Sequence, residues 1–334
     1  MPYSGSVSPT FRSGVLKLTA AVTVAAGMAL AACGGSNAPA SGGQQRYRFA
    51  VIPKSLDIPV FNYAKIGAER KAKELGNVDI LWNAPATADQ LKQKEILESA
   101  ITQKVDGIAI SCTNGDFLTD TINKAVDAGI PVVTWDSDAP KSKRAAFYGV
   151  DDFASGKIMG EQAVQLLNGK GTIAIITSMG ATNLQRRLDG MKEALAKAPD
   201  IKIVETFDIH EDSVRTVELI AAGTKRYPDL SAWLSTGGWP VFTRNATEPV
   251  DPARTKFISF DTIQPALDLL REGKVTVLLG QKYFGWGSEP VQILYDMKHG
   301  KNPSSPIIDS GVDVVTKENA DDYMTKWKKM ESGS

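Results

Sequence analysis

The chain has 334 residues, with 38 basic and 38 acidic side chains and no net charge when histidine is neutral. That balance leaves no basic surplus to favour nucleic acid, and two cysteines exclude a disulfide framework. The two histidines, His210 and His299, lie far apart without ligand-like spacing, which argues against a zinc site.

The first segment reads as a targeting signal. Arg12 and Lys17 give a positive start, residues 18–29 are apolar and small, and Leu30-Ala31-Ala32-Cys33 resembles a bacterial lipobox. The apolar run is short for a membrane span. Residues 33–45 follow as a flexible tether rich in Gly, Ser, Ala and Pro. The resemblance implies cleavage after residue 32, lipid attachment at Cys33 and retention at a membrane surface in the cell envelope, either in the periplasm or on the outer face of the cytoplasmic membrane. A plain secretory signal with Cys33 incidental is the alternative. Taking 32 residues from 334 leaves 302, with 36 basic and 38 acidic groups and a charge of −2. That is enough chain for one large or two medium domains. Cys112, at the end of an apolar run, reads as a buried small hydrophobe.

From Tyr47 onward, short apolar strands alternate with amphipathic helices. Strands are expected over 48–53, 78–82, 105–112 and 130–135, with helices over 61–75, from a capping box at Thr87-Ala88-Asp89-Gln90 to 104, and over 115–128. After residue 150 the pattern restarts: helix 152–168, strand 172–177, helix 182–198, strand 202–207, helix 212–226, strands 232–236 and 256–260, helix 264–271 and strand 275–281. A long helix over about 287–299, a strand after Pro303 and Pro306 and a terminal helix over about 319–329 complete the chain. Such alternation means βαβ units on parallel sheets. The strands are too many for one sheet, so the fold class is α/β with two Rossmann-like lobes.

Enzyme signatures are missing: no phosphate-binding loop, glycine fingerprint, nucleophile elbow or H-E-x-x-H stretch occurs. Aromatic, charged and amide residues instead recur at strand ends. These are Lys54 and Phe61 near the first strand, Trp135-Asp136-Ser137-Asp138 after the fourth, and Arg186 and Arg187 on a later helix. Gly237-Gly238-Trp239, Phe260-Asp261 and Gly280-Gln281 end others. In open α/β sheets, ligands lie beyond the carboxyl ends of the strands. The mixture suits a sugar: hydroxyls donate to carboxylates and accept from cations and amides, and aromatic faces cover C–H faces. A turn-forming or capping role for Asp136, Asp138 and Asp261 stays open at this level, and one of the two arginines is expected to face solvent. A divalent cation at Asp136 and Asp138 would need a denser ring of oxygens.

In order along the chain, Val51-Ile52-Pro53-Lys54, Phe61, Gly67, Asp106-Gly107, Gly129-Ile130-Pro131, Asp136, Gly156-Lys157, Arg187-x-x-Gly190, Phe260-Asp261 and Gln281 resemble the type I periplasmic sugar-binding proteins of ABC transporters, in the ribose- and rhamnose-type branch. The resemblance implies a three-strand hinge with crossovers near residues 150, 281 and 310. Lobes of 46–150 plus 282–310 and of 151–281 plus 311–327 would close on a ligand. It implies ligand contacts at Lys54, Phe61, Asp136, Asp138, Arg187, Asp261 and Gln281, with Trp239 added from the local pattern. It implies no cofactor, no metal and no turnover, with a monomer delivering a monosaccharide or sugar-like ligand to a permease and its ATPase. A receptor for a sugar-like signal, docking on a membrane sensor, is the alternative. Ser137 stands where ribose-type members carry arginine, and Gly237-Gly238-Trp239 where asparagine is usual. These departures point to a ligand with a larger apolar edge, such as a deoxy-sugar or a sugar alcohol.

Overall fold

The computed structural model describes residues 45–333, which belong to one compact unit. The expectations for residues 1–44, including lipidation at Cys33, lie outside the described residues.

The first half runs β1 (Tyr47–Ile52), α1 (Phe61–Leu75), β2 (Val78–Trp82), α2 (Gln90–Thr102), β3 (Gly107–Ile110), α3 (Gly115–Asp127), β4 (Val132–Trp135) and β5 (Ala146–Gly149). The second runs α4 (Asp152–Leu166), β6 (Lys170–Thr177), α5 (Thr182–Leu195), β7 (Asp200–Asp208), α6 (Ser213–Arg226), β8 (Ala232–Ser235), α7 (Trp239–Phe242), β9 (Lys256–Phe260), α8 (Gln264–Arg271) and β10 (Val277–Gly280). The chain then returns through α9 (Tyr283–Lys298) to β11 (Ile307–Asp309), and crosses again to β12 (Asp313–Val315) and α10 (Ala320–Ser332).

Two sheets result, ordered β11-β5-β4-β3-β1-β2 and β12-β10-β9-β8-β6-β7. Their pairings are parallel except that β12 runs antiparallel to β10. Every residue of β3, β4, β8 and β10 is buried, as strands covered by helices on both faces require. The chain passes between the sheets after β5, after β10 and between β11 and β12, which is the expected two-lobed α/β architecture with a three-crossover hinge.

Local details differ from the sequence reading. Asp89, not Thr87, caps α2, its carboxylate accepting from the N–H groups of Leu91 and Lys92. The short strand β5 and the one-turn α7 were not expected. Helix α9 starts at Tyr283, before Gly285 and Gly287 rather than after them. Gly287 is needed inside that helix because a Cβ there would collide with the Ala64 carbonyl of α1. Helices α4 and α5 meet in the same way: a Cβ on Gly156 would strike the Arg187 carbonyl, and one on Gly190 the Phe153 carbonyl. Helix α10 touches both lobes. Trp327 packs edge-on against Tyr63 of α1 at 4.9 Å, and Arg70 of α1 donates to the last-turn carbonyls of Met330 and Glu331. Tyr323 lies 2.7 Å from the Thr262 hydroxyl beyond β9.

Candidate functional site

Strand ends from both lobes converge on one cleft, lined from the first lobe by Lys54, Phe61, Asp136 and Trp286 and from the second by Asn183, Arg187, Glu211, Trp239 and Asp261, with Gln281 at the crossover. The lobes are in contact across it. Lys54, buried at the end of β1, donates to Asn183 Oδ1 at 2.9 Å and to Glu211 Oε1 at 3.0 Å. At the rim, the Gly115 N–H donates to Thr182 Oγ1 at 3.1 Å.

Phe61 stands edge-on to Trp135 at 5.5 Å and tilted to Trp286 at 6.0 Å. Trp135 does not line the cleft, so it braces Phe61 from behind rather than offering the ligand the aromatic face expected of it. The next residue, Asp136, has φ +58 and turns its carboxylate to the cleft, where Oδ2 accepts from Ser111 Oγ at 2.6 Å. Asp261 has φ +78. Its Oδ1 accepts from Gln281 Nε2 and from the Tyr283 hydroxyl, each at 3.0 Å. Left-handed backbone is uncommon for residues other than glycine and is often stored at binding sites.

Arg187, on α5, is the buried member of the arginine pair. Its Nε donates to Asp152 Oδ1 at 2.9 Å, Nη1 to the Thr236 carbonyl at 3.0 Å and Nη2 to Gln281 Oε1 at 2.9 Å, and its guanidinium lies 4.0 Å above the Phe260 ring. Burial pushes the Asp261 carboxyl up to about 6, against the pull of Arg187 and the two hydrogen-bond donors. Asp152 is raised by burial as well, with Arg187 opposing.

Asp138 stands apart from this group. Its carboxylate accepts from Arg144 Nη2 at 2.6 Å, Thr134 Oγ1 at 2.6 Å and the Ala139 N–H at 2.7 Å, and it does not line the cleft. The turn-forming reading fits Asp138, and the ligand role given to it from sequence does not. Ser137 is buried away from the cleft as well. Trp239 does reach the cleft wall, with Phe242 beside it at 6.3 Å. Gly237 makes room for that indole, since a Cβ there would meet the ring. Glu211 and Trp286 are cleft residues the sequence reading missed, and Asn183 lies in the 178–183 strand-end stretch but was not singled out as a contact. For Glu211 a signal existed in the polar His210-Glu211-Asp212 run after a strand; for Trp286, inside an apolar helix, there was none.

The periplasmic binding protein domain model matches residues 49–302. The chain belongs to that family. Among relatives of this periplasmic binding protein is the D-ribose/D-allose-binding protein of Pseudomonas aeruginosa, 25% identical over 288 residues that make up 81% of this chain and 89% of the relative. A solute-binding protein of an ABC transporter from Burkholderia graminis, solved with D-arabinose, is 32% identical, with a TM-score of 0.77 over 82% of this chain and 96% of its own. A glucose-galactose binding protein from Geobacillus stearothermophilus is 29% identical, with a TM-score of 0.77 over 83% and 99%. These likenesses give this binding protein the type I fold with two α/β lobes.

Proposed function

We propose that this protein captures a monosaccharide or closely related polyol between its lobes and hands it, unchanged, to an ABC import permease with its ATPase. The observation that carries the reading is the pairing of Asp136 and Asp261, buried carboxylates from opposite lobes, in one cleft with the aromatic residues Phe61, Trp239 and Trp286. Carboxylates accept from ring hydroxyls and aromatic faces cover the apolar face of a sugar. Relatives named for ribose, allose, arabinose, glucose and galactose support the same class. Lys54, Arg187 and Gln281 complete the contact set. Trp239 and Phe242 favour a ligand with one apolar edge. The crossovers near residues 150, 281 and 310 act as the hinge between lobes of 46–150 plus 282–310 and of 151–281 plus 311–327. Closure by hinge motion is the mode of periplasmic binding proteins generally. Cys33 carries a lipid that holds the monomer at the cell envelope, and the protein performs no turnover.

The test is a thermal-shift screen of residues 44–334 against pentoses, hexoses, deoxy-sugars and polyols. A ligand at ~100 times its dissociation constant adds about 2.7 kcal/mol of stability. Asp136→Ala removes that shift while leaving the unliganded melt close to wild type. If no sugar or polyol moves the melt, the reading fails. Globomycin-sensitive processing of the full chain, or labelling of wild type but not Cys33→Ala with palmitate, checks the anchor.

A further inference from the structure

Asp261 has one oxygen committed to the protein. Oδ1 accepts from both Gln281 Nε2 and the Tyr283 hydroxyl, while Oδ2 lies toward Gly238, where a Cβ would touch it. The shorter contact of the Tyr283 hydroxyl is to Asp261, at 3.0 Å against 3.3 Å to Thr262 Oγ1. The phenolic oxygen accepts from the Thr262 N–H at 3.0 Å and the Gln281 N–H at 3.3 Å, which leaves the phenolic hydrogen to donate to the nearer acceptor, Asp261. Thr262 Oγ1 is 3.3 Å from that phenol and 2.7 Å from the Tyr323 hydroxyl, so helix α10 holds the other end of the group.

The ring of Tyr283 is clamped between elements. It sits 4.9 Å from Trp286, 5.4 Å from Trp327 and 6.4 Å from Tyr63. On the other flank, Gln281 accepts from Arg187, which in turn holds Asp152 at the first crossover. A continuous polar line, Asp152–Arg187–Gln281–Asp261–Tyr283, therefore joins the first crossover to the second. Thr262 and Tyr323 attach it to the helix that follows the third.

We propose that Tyr283, backed by Thr262 and Tyr323, is a positioning residue that locks Asp261 as a one-sided acceptor, so that the hinge sets the affinity and selectivity of the cleft. This rests on Asp261 being a ligand contact, as the proposed function has it. With Oδ1 tied down the carboxylate cannot rotate, and a ligand must bring its donor to Oδ2. Removing the phenol leaves Gln281 as the one remaining donor to Oδ1 and loosens the rotor, and epimers that differ in one hydroxyl are then told apart less well. It also removes a donor that favours the ionised carboxylate against burial. The groups facing Asp261 are Arg187 from α5, Asp136 from the end of β4, Gln281 at the crossover, Tyr283 from α9 and, through Thr262, Tyr323 from α10. Losing one donor shifts the balance of this set toward the protonated acid.

The experiment is calorimetric titration of residues 44–334 with D-ribose, D-arabinose, D-allose, D-xylose and xylitol at pH 6 and pH 8, for wild type, Tyr283→Phe, Tyr323→Phe and Asp261→Asn. Tyr283→Phe is expected to weaken binding of the best ligand about tenfold at pH 8, the scale of one hydrogen bond to a charged group, and further at pH 6. Its preference between the best and second-best ligand narrows. Tyr323→Phe, at a site with less to lose on folding, moves the same quantities less far in the same direction, and Asp261→Asn binds equally weakly at both pH values. The inference is overturned if both tyrosine variants keep the wild-type ratio of affinities between pH 6 and pH 8 and only lower the melting temperature. Wild type binding none of the five would sink the sugar reading itself and this inference with it. Wild-type binding that survives Asp261→Asn intact would remove Asp261 from the site.

Discussion

Asp136 and Asp261 occupy the same place in two halves of the chain. Each is the first residue beyond the fourth strand of its lobe, each has a positive φ, and each backbone N–H donates across to the neighbouring strand, to the carbonyl of Tyr148 at 3.1 Å and of Leu279 at 2.9 Å. The equivalence follows from the matching sheet orders, in which β4 lies between β3 and β5 as β9 lies between β8 and β10.

The backbone at these positions separates strain from chemistry. Glycine adopts a left-handed conformation without the cost an alanine incurs, roughly 1–2 kcal/mol. Asp136→Gly is therefore expected to unfold at higher denaturant than Asp136→Ala by about 1 kcal/mol, while both fail to bind. Equal stabilities for the two variants in urea titrations would show that the backbone there is relaxed.

The bridge between Lys54 and Glu211 is buried and joins the lobes, with side chains 2% and 4% exposed. Breaking a buried pair by deleting one partner typically costs about 3–5 kcal/mol, whereas replacing both with apolar groups of similar size is often neutral. Lys54→Met should thus be markedly less stable than Lys54→Met/Glu211→Leu in a double-mutant cycle. Small-angle scattering of the single variant without ligand should report a larger radius of gyration. A single variant as compact and stable as wild type would mean that the pair does not hold the lobes together.

Ligand-free stability should fall as pH rises from 4 to 7. Burial raises Asp261 from the ordinary carboxylate value of 3.8 to about 6, and raises Asp152 in the same direction. The folded state thus binds more protons than the unfolded chain in that window. The resulting stabilisation is complete below 3.8 and lost as pH climbs through 6, up to about 3 kcal/mol for Asp261 alone. Asp261→Asn flattens the profile. Sugar affinity runs the other way, improving as the carboxylate ionises, so melting curves with and without ligand should diverge toward neutral pH.

The cleft holds two cations, and both are engaged by protein acceptors: Lys54 by Asn183 and Glu211, Arg187 by Asp152, Thr236 and Gln281. Asp136 and Asp261 each face the cleft without a cation bonded to them among the described residues. An anionic sugar would add charge to that set. Galacturonate and ribose 5-phosphate should give no calorimetric signal at concentrations where a neutral ligand saturates; tight binding of either would show that Lys54 swings away from Glu211.

Most of the fold was legible because buried parallel strands and capped helices write themselves in local periodicity. Strand β5 escaped because Ala146–Gly149 has no helix between it and β4 to mark a βαβ unit, and its other pairing, with β11, lies far along the chain. Asp136 and Asp138 illustrate the limit at the site. Two carboxylates on one loop look alike in sequence, and only the position of Arg144 makes one a turn brace. The polar run at Glu211 hints at a site, but its pairing with Lys54 across 157 residues leaves no mark in the local sequence.

Helix α10 gives the molecule a built-in place to listen to. Its bonds from Arg70 are exposed, while its bond from Tyr323 to Thr262 is part-buried and Trp327 is packed on Tyr63, so the Arg70 bonds are the attachment expected to yield first if the lobes part. An environment-sensitive dye on Arg70→Cys would sit on that parting seam, some distance from every ligand contact. In residues 44–334 the other thiol, Cys112, is buried and held protonated by burial, so it would not compete for the label. The seam turns a binding protein into an optical gauge without altering its cleft.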